Sequence, residues 1–176
     1  MASPSRQNIH DEMDLARETF QRLLSHASRA DLRRSTQGTR WNNEQLLFHL
    51  LFGYLIVRAL RWLVKGFGRL PDWLGATFAR ALNSVSVPFH AINYWGSRGG
   101  AIVFGHGRMG RKMDRVIASL QRHLEQETDD ALALRMHFPT RWDPFFTEVM
   151  TLADVYHYAT QHFTYHEQQL TLHETE

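Results

Sequence analysis

Residues 42–65 read NNEQLLFHLLFGYLIVRALRWLVK, and the fold turns on how this stretch is read. Asn42 can accept a backbone N–H at the start of a helix. Gln45 stands three residues on, where a capping-box partner reaches back. From Leu46 to Val57 almost every side chain is apolar, all round the helix and not along one stripe. A helix of that kind belongs in the interior of a bundle. Arg58, Arg61 and Lys65 gather toward its C-terminal end, where positive charge suits the helix dipole, and Gly66, Gly68 and Pro71 stop it. The most apolar run, Gln45 to Val57, is too short to span a bilayer and is bounded by Glu44 and Arg58.

On the N-terminal side, Ile9 to about Ala30 reads as a first helix. Met13, Ala16, Phe20, Leu23, Leu24 and Ala27 recur on one helical face. On the C-terminal side, a third helix runs from about Arg108 to Gln126, with Met113, Val116, Ile117, Leu120 and Leu124 on one face. Asp143 as cap and Pro144 as first residue start a short helical turn. Thr151 and Asp154 form a capping box that opens a last helix reaching about Leu172. Between the second and third helices, residues 67–107 hold Pro71, Pro88 and seven of the 11 glycines. They read as an irregular crossover in which only Trp73–Leu82 is a helical piece. A connection that long permits the helices on either side to run parallel. The expectation is one all-α domain over 1–176, with four main helices and a long irregular insertion at about 67–107.

The bulk numbers agree with a packed domain. Apolar residues make up 43% of 176, and charged residues 22%. Lys plus Arg is 20 against 18 Asp plus Glu, with the signs interleaved. A nucleic-acid binder concentrates its positive charge on one element, whereas the signs here are mostly interleaved, so nucleic acid is not expected as a partner. The segment Met1–Asn8 is polar and lacks the apolar core of a signal peptide. A soluble, cytoplasmic protein with no membrane partner follows as the expectation. Trp62, Phe67, Trp73 and Phe78 lie near arginines in a way that peripheral membrane helices share; packing under the crossover is the plainer account. There is no cysteine, which removes thiolate ligands and a cysteine nucleophile together.

Histidine is the unusual residue, with 11 copies. His162 and His166 are four apart on the last helix, so their imidazoles lie one turn above the other on one face. His49 sits inside the most apolar run of the chain, and a buried imidazole needs a hydrogen-bond partner or a metal. Two readings stand side by side: three satisfied core histidines, or one ion held between His49, His162 and His166. Three imidazoles with an open fourth position describe a catalytic site better than a structural one. That position can hold water or the sulfur of an incoming thiol. The donors suit a divalent transition metal ion, zinc first, with nickel, copper or iron as alternatives. Gln169 and Tyr158 share the histidine face and are candidates to hydrogen-bond around the site, with plain packing as the alternative. His157 points away, and His173 lies near the chain end.

Residues 41–50, WNNEQLLFHL, together with residues 142–146, WDPFF, residues 150–152, MTL, and residues 156–170, YHYATQHFTYHEQQL, resemble the DinB/YfiT family. There a tryptophan precedes a metal-binding histidine on the second helix, and a histidine pair four apart is followed by glutamine and leucine. The resemblance implies a four-helix bundle of up-down-down-up order with His49, His162 and His166 as ligands. It implies an enzyme of the metal-dependent thiol S-transferase or hydrolase type, whose partners are a low-molecular-weight thiol and an electrophilic substrate. It also implies a homodimer. The insertion at 67–107 departs from a minimal member, and a substrate pocket it covers would differ. The alternative function is a non-catalytic, stress-related bundle or binding module with a structural metal or none.

Residues 105–110, GHGRMG, spell the dinucleotide-binding pattern. That motif needs a parallel sheet around it, and no second strand-helix-strand unit is legible. A glycine-rich entry into the third helix is the simpler account. Arg108, Arg111, Lys112 and Arg115 then crowd a helix N-terminus, where positive charge is unfavourable. Either they form a solvated basic face, or an anion binds at the exposed amides.

Overall fold

A computed structural model describes residues 5–172. The elements run α1 (Arg6–His26), α2 (Arg29–Arg33), α3 (Asn43–Phe67), α4 (Asp72–Ser84), α5 (Ser86–Gln126), α6 (Asp129–Leu132), β1 (Arg135–His137), β2 (Val149–Thr151) and α7 (Leu152–Glu167). The fold is mostly helical, in line with the all-α expectation. α3 packs against α5 and α7, and α1 packs against the same two helices. The faces that the periodicity picked out are the buried ones. Met13 and Phe20 of α1 meet Leu50, Tyr54 and Val57 of α3, Met113 and Ile117 of α5, and Tyr156 and Phe163 of α7 in one core.

The helix starts follow the sequence reading. Asn42 accepts from the Gln45 backbone N–H at 2.9 Å, and Gln45 accepts from the Asn42 N–H at 3.3 Å. Thr151 and Asp154 make the same reciprocal pair. The first helix ends at His26, earlier than expected, because Ser28 and Asp31 open a second capping box that starts α2. α3 is long and apolar enough to cross a membrane by length and composition, but 56% of its most apolar window is buried inside the fold.

The insertion at 67–107 is helical, which corrects the expected irregular crossover. α4 and the first half of α5 occupy most of it. The breakers fall where helices tolerate them. Pro71 is the residue before α4, and Pro88 is the third residue of α5, where no intrahelical N–H is needed. Gly100 is required by packing, because a Cβ there would lie 2.1 Å from the Phe48 ring. Phe67 and Phe78 stack on each other with centroids 4.8 Å apart and pack on the core, while Trp62 and Trp73 remain exposed.

Residues 105–110 mark a kink. Gly105 has φ +56° and ψ 159° inside an otherwise continuous helix, a left-handed conformation that glycine adopts without strain. Glu44 of α3 accepts from the backbone N–H of His106 at 3.2 Å. The anion at this helix start is thus supplied by the chain itself. Among the described residues the strands are β1 and β2, an antiparallel pair with Met136 opposite Met150, so the dinucleotide pattern has no parallel sheet around it.

That small sheet is absent from the all-α expectation. Its strands are three residues each, too short to show an alternating pattern, and they clamp the ends of the 138–148 loop. The Asp143-Pro144 segment forms a single turn that the Asp143 side chain caps: Phe146 N–H donates to Asp143 O at 3.1 Å, and Phe145 N–H donates to Asp143 Oδ1 at 2.9 Å. Trp142 fixes the loop against the α4–α5 corner by stacking on Phe89 and donating Nε1–H to Leu82 O.

Candidate metal centre

His49 comes from α3, and His162 and His166 from α7. Two local features bring them together. Gly53, one turn after His49, leaves its Cβ position to the His162 ring. Asn43, fully buried at the start of α3, donates Nδ2–H to Asp31 O and to Thr171 Oγ1, and accepts from Thr171 N–H at 3.0 Å. The chain leaving α7 is thereby tied to the beginning of α3.

The three imidazoles face one another. Their ring centroids are 4.6–4.8 Å apart. One ligand atom from each lies within 4.8 Å of the others. His49 Nε2 and His162 Nε2 are 3.1 Å apart. A tetrahedral ion with bonds of about 2.0–2.1 Å holds its donors roughly 3.3 Å apart, so this pair already has the spacing of two ligands.

The outer nitrogens are held in a way that suits ligation. His166 Nδ1 lies 2.7 Å from Gln169 Oε1. An amide oxygen only accepts, so Nδ1 carries the proton and Nε2 presents a lone pair. His49 Nδ1 lies 3.2 Å from the Ser97 hydroxyl on α5, which can accept in the same way. His162 Nδ1 is buried against Gly53 and has no hydrogen-bond partner among the described residues. Trp41 lies against His49 with centroids 4.5 Å apart and meets His166 edge-on at 6.5 Å.

Burial sets the charge state. The pKa of His49 is pushed down to about 3, first by burial and then by His166. His162 falls well below its ordinary value through burial, then through His49 and His166. His166 is also lowered by burial, although its bond to Gln169 works the other way. All three are therefore neutral at pH 7, the form in which imidazole binds a metal. Donor type, the 3.1 Å spacing of His49 and His162, the tautomer of His166 and the neutral state of the three rings fit a divalent ion.

The three sequence candidates converge, and two companions prove to be hydrogen-bonding residues. Gln169 holds His166, while Tyr158 donates its hydroxyl to Asp143 Oδ2 at 2.8 Å. His157 pairs with Glu12 at 2.7 Å, away from the centre, and His173 lies outside the described residues. Sequence reasoning missed Ser97 and Gly53, and took Asp143 only as a cap. Ser97 lies in the segment read as irregular, and neither a serine nor a glycine has a periodic signature of its own.

Comparison with protein-family models, curated proteins and solved structures finds no match for this chain.

Proposed function

We propose that the chain is a DinB-like four-helix bundle of up-down-down-up order, made of α1, α3, the second half of α5 and α7. We read it as a divalent-metal-dependent enzyme of the thiol S-transferase or hydrolase type, with His49, His162 and His166 as ligands. The observation that carries this reading is the convergence of three neutral imidazoles, two buried and that of His166 half-buried, with one ligand atom of each within 4.8 Å of the others. Zinc is the first candidate, with nickel or iron next. When bound, such an ion lowers the pKa of a thiol or water at its open position.

The chain's own residues prepare that position. Ser97 and Gln169 keep the outer nitrogens of His49 and His166 occupied, and the Trp41 indole shields one side of the cluster. A cleft of about 540 Å³, lined by Arg40, Trp41, His90, Asn93, Tyr94 and Trp95, shares the Trp41 ring with the centre. We assign the low-molecular-weight thiol or its electrophilic partner to this cleft. A cytoplasmic homodimer belongs to the same reading. Val87, Ile92, Trp95 and Ile102 on the exposed side of α5 are the apolar surface that a dimer would cover.

A second reading rests on the same hydrogen bonds. Each imidazole finds a partner without an ion: Ser97 for His49, His49 for His162, and Gln169 for His166. That arrangement favours a non-catalytic bundle. Metal analysis by plasma mass spectrometry on protein purified without a histidine tag separates the two. The enzyme reading expects near one equivalent in the parent and little in His162→Ala, followed by turnover of thiol and electrophile pairs. Metal retained by His162→Ala removes the ligand assignment. A parent that stays empty after refilling with zinc, nickel and iron leaves the non-catalytic bundle.

A further inference from the structure

The loop between β1 and β2 delivers one carboxylate to the histidine cluster. The Asp143 side chain is 13% exposed, and its Oδ2 lies 3.8 Å from His162 Nε2. Both oxygens are held. Oδ1 accepts from the Phe145 N–H at 2.9 Å, and Oδ2 accepts from the Tyr158 hydroxyl at 2.8 Å. Among the described residues no lysine or arginine pairs with Asp143; its ion-pair neighbour is His162. A carboxylate drawn into a protein interior without a cation is costly. The β1–β2 pairing and the Trp142 contacts hold the loop in place at its ends and its centre, so the carboxylate is delivered by a rigid support.

We propose that Asp143 is the fourth protein donor to the ion held by His49, His162 and His166, with Tyr158 as the residue that positions it. This rests on the three-histidine reading and fills the fourth position with a carboxylate, so that the thiol or water of that reading would enter as a fifth donor. Three neutral imidazoles and one carboxylate carry a charge of −1, which a divalent cation more than balances. The ion thus supplies the missing counter-charge of the buried aspartate. The mixed nitrogen and oxygen set contains no soft ligand, so it selects a borderline divalent ion such as zinc or iron over a thiophilic one.

The test uses the full chain, stripped of metal and titrated with zinc against a chromophoric chelator. Infrared difference spectra are recorded between the metal-free and zinc-loaded forms. We expect a change in a carboxylate stretch in the parent that Asp143→Asn lacks. Asp143→Asn should weaken zinc binding by at least about tenfold at unchanged helical circular dichroism, and Tyr158→Phe should shift the carboxylate band with a smaller loss of affinity. Zinc binding by the parent with no carboxylate change overturns the role of Asp143, and needs no variant to fold. An Asp143→Asn affinity within threefold of the parent overturns it as well. A parent that binds no zinc, or a His162→Ala variant that keeps it, overturns the three-histidine reading itself.

Discussion

A Cβ built on Gly53 would lie 2.8 Å from Nδ1 of His162, closer than two such atoms approach in a packed protein. The bare backbone of α3 at this point lets the Nδ1 edge of the His162 ring come up against it and the ring reach His49, 113 positions earlier in the chain. In a helix, alanine is more favourable than glycine by about 1 kcal/mol. Overpacking in a core costs about 1–3 kcal/mol. Gly53→Ala should therefore change global stability by no more than about 2 kcal/mol, while zinc affinity falls at least about tenfold as the ring is displaced. Chelator competition beside urea denaturation checks both halves. Unchanged affinity would show that the ring yields at no cost to the centre.

The buried histidines give the metal-free protein a defined pH response. His49 has an ordinary value of 6.5 and a folded value of about 3. Between the two, the unfolded chain takes up a proton that the folded chain does not, so stability is lost as pH falls below 6.5. Each pH unit costs about 1.4 kcal/mol for every histidine that stays neutral. His162 and His166 act in the same direction. Asp143, raised by burial, opposes them, since its folded form holds the extra proton. One carboxyl does not offset three imidazoles, so metal-free protein should lose at least about 2 kcal/mol from pH 7 to pH 5. Urea melts at three pH values measure this, and a flat profile would refute it. His49→Gln should flatten the slope.

Gly100 brings α5 down onto the Phe48 ring, and a Cβ there would sit 2.1 Å from it. Gly100→Ala should destabilise the fold by about 1–3 kcal/mol or more. Because Ser97 lies one turn earlier, the same change should loosen its bond to His49. Phe48→Ala in the same chain should recover part of the loss, with a coupling of about 1 kcal/mol or more in a double-mutant cycle. Additive effects would mean that α5 does not press on Phe48.

Glu127, at the end of α5, is buried between two cations of α3. Lys65 Nζ lies 2.7 Å from one oxygen, and Arg61 Nη1 lies 3.4 Å from the other. Arg61 is itself only 5% exposed. Removing the carboxylate leaves that guanidinium uncompensated, so Glu127→Gln should cost about 3–5 kcal/mol. Lys65→Met keeps the Arg61 pair and should cost far less. Chemical denaturation of both variants tests the ranking, and equal costs would overturn it.

How much was legible in advance depended on the range of the information. α1, α3, the second half of α5 and α7 each bury a face of their own residues, and their caps are local, so both could be read along the chain. Asn42 with Gln45 and Thr151 with Asp154 are three residues apart and form in place. The helix of residues 86–104 was not legible, because proline and glycine were read as breakers. Pro88 is tolerated only because the helix starts two residues before it, and Gly100 is explained only once the Phe48 ring of α3 is in position.

The same division runs through the candidate centre. The sequence by itself determined that His162 and His166 share a helix face, since four residues make about one turn, and that His49 lies in an apolar helix and needs a partner. Only the tertiary structure decided that the three meet, that Gly53 clears the space, that Ser97 and Gln169 hold the outer nitrogens, and that Asp143 comes within 3.8 Å of His162. These contacts join residues far apart in the chain. They follow from how α3, α5, α7 and the β1–β2 loop pack, which is a property of the whole core and of no single stretch of residues.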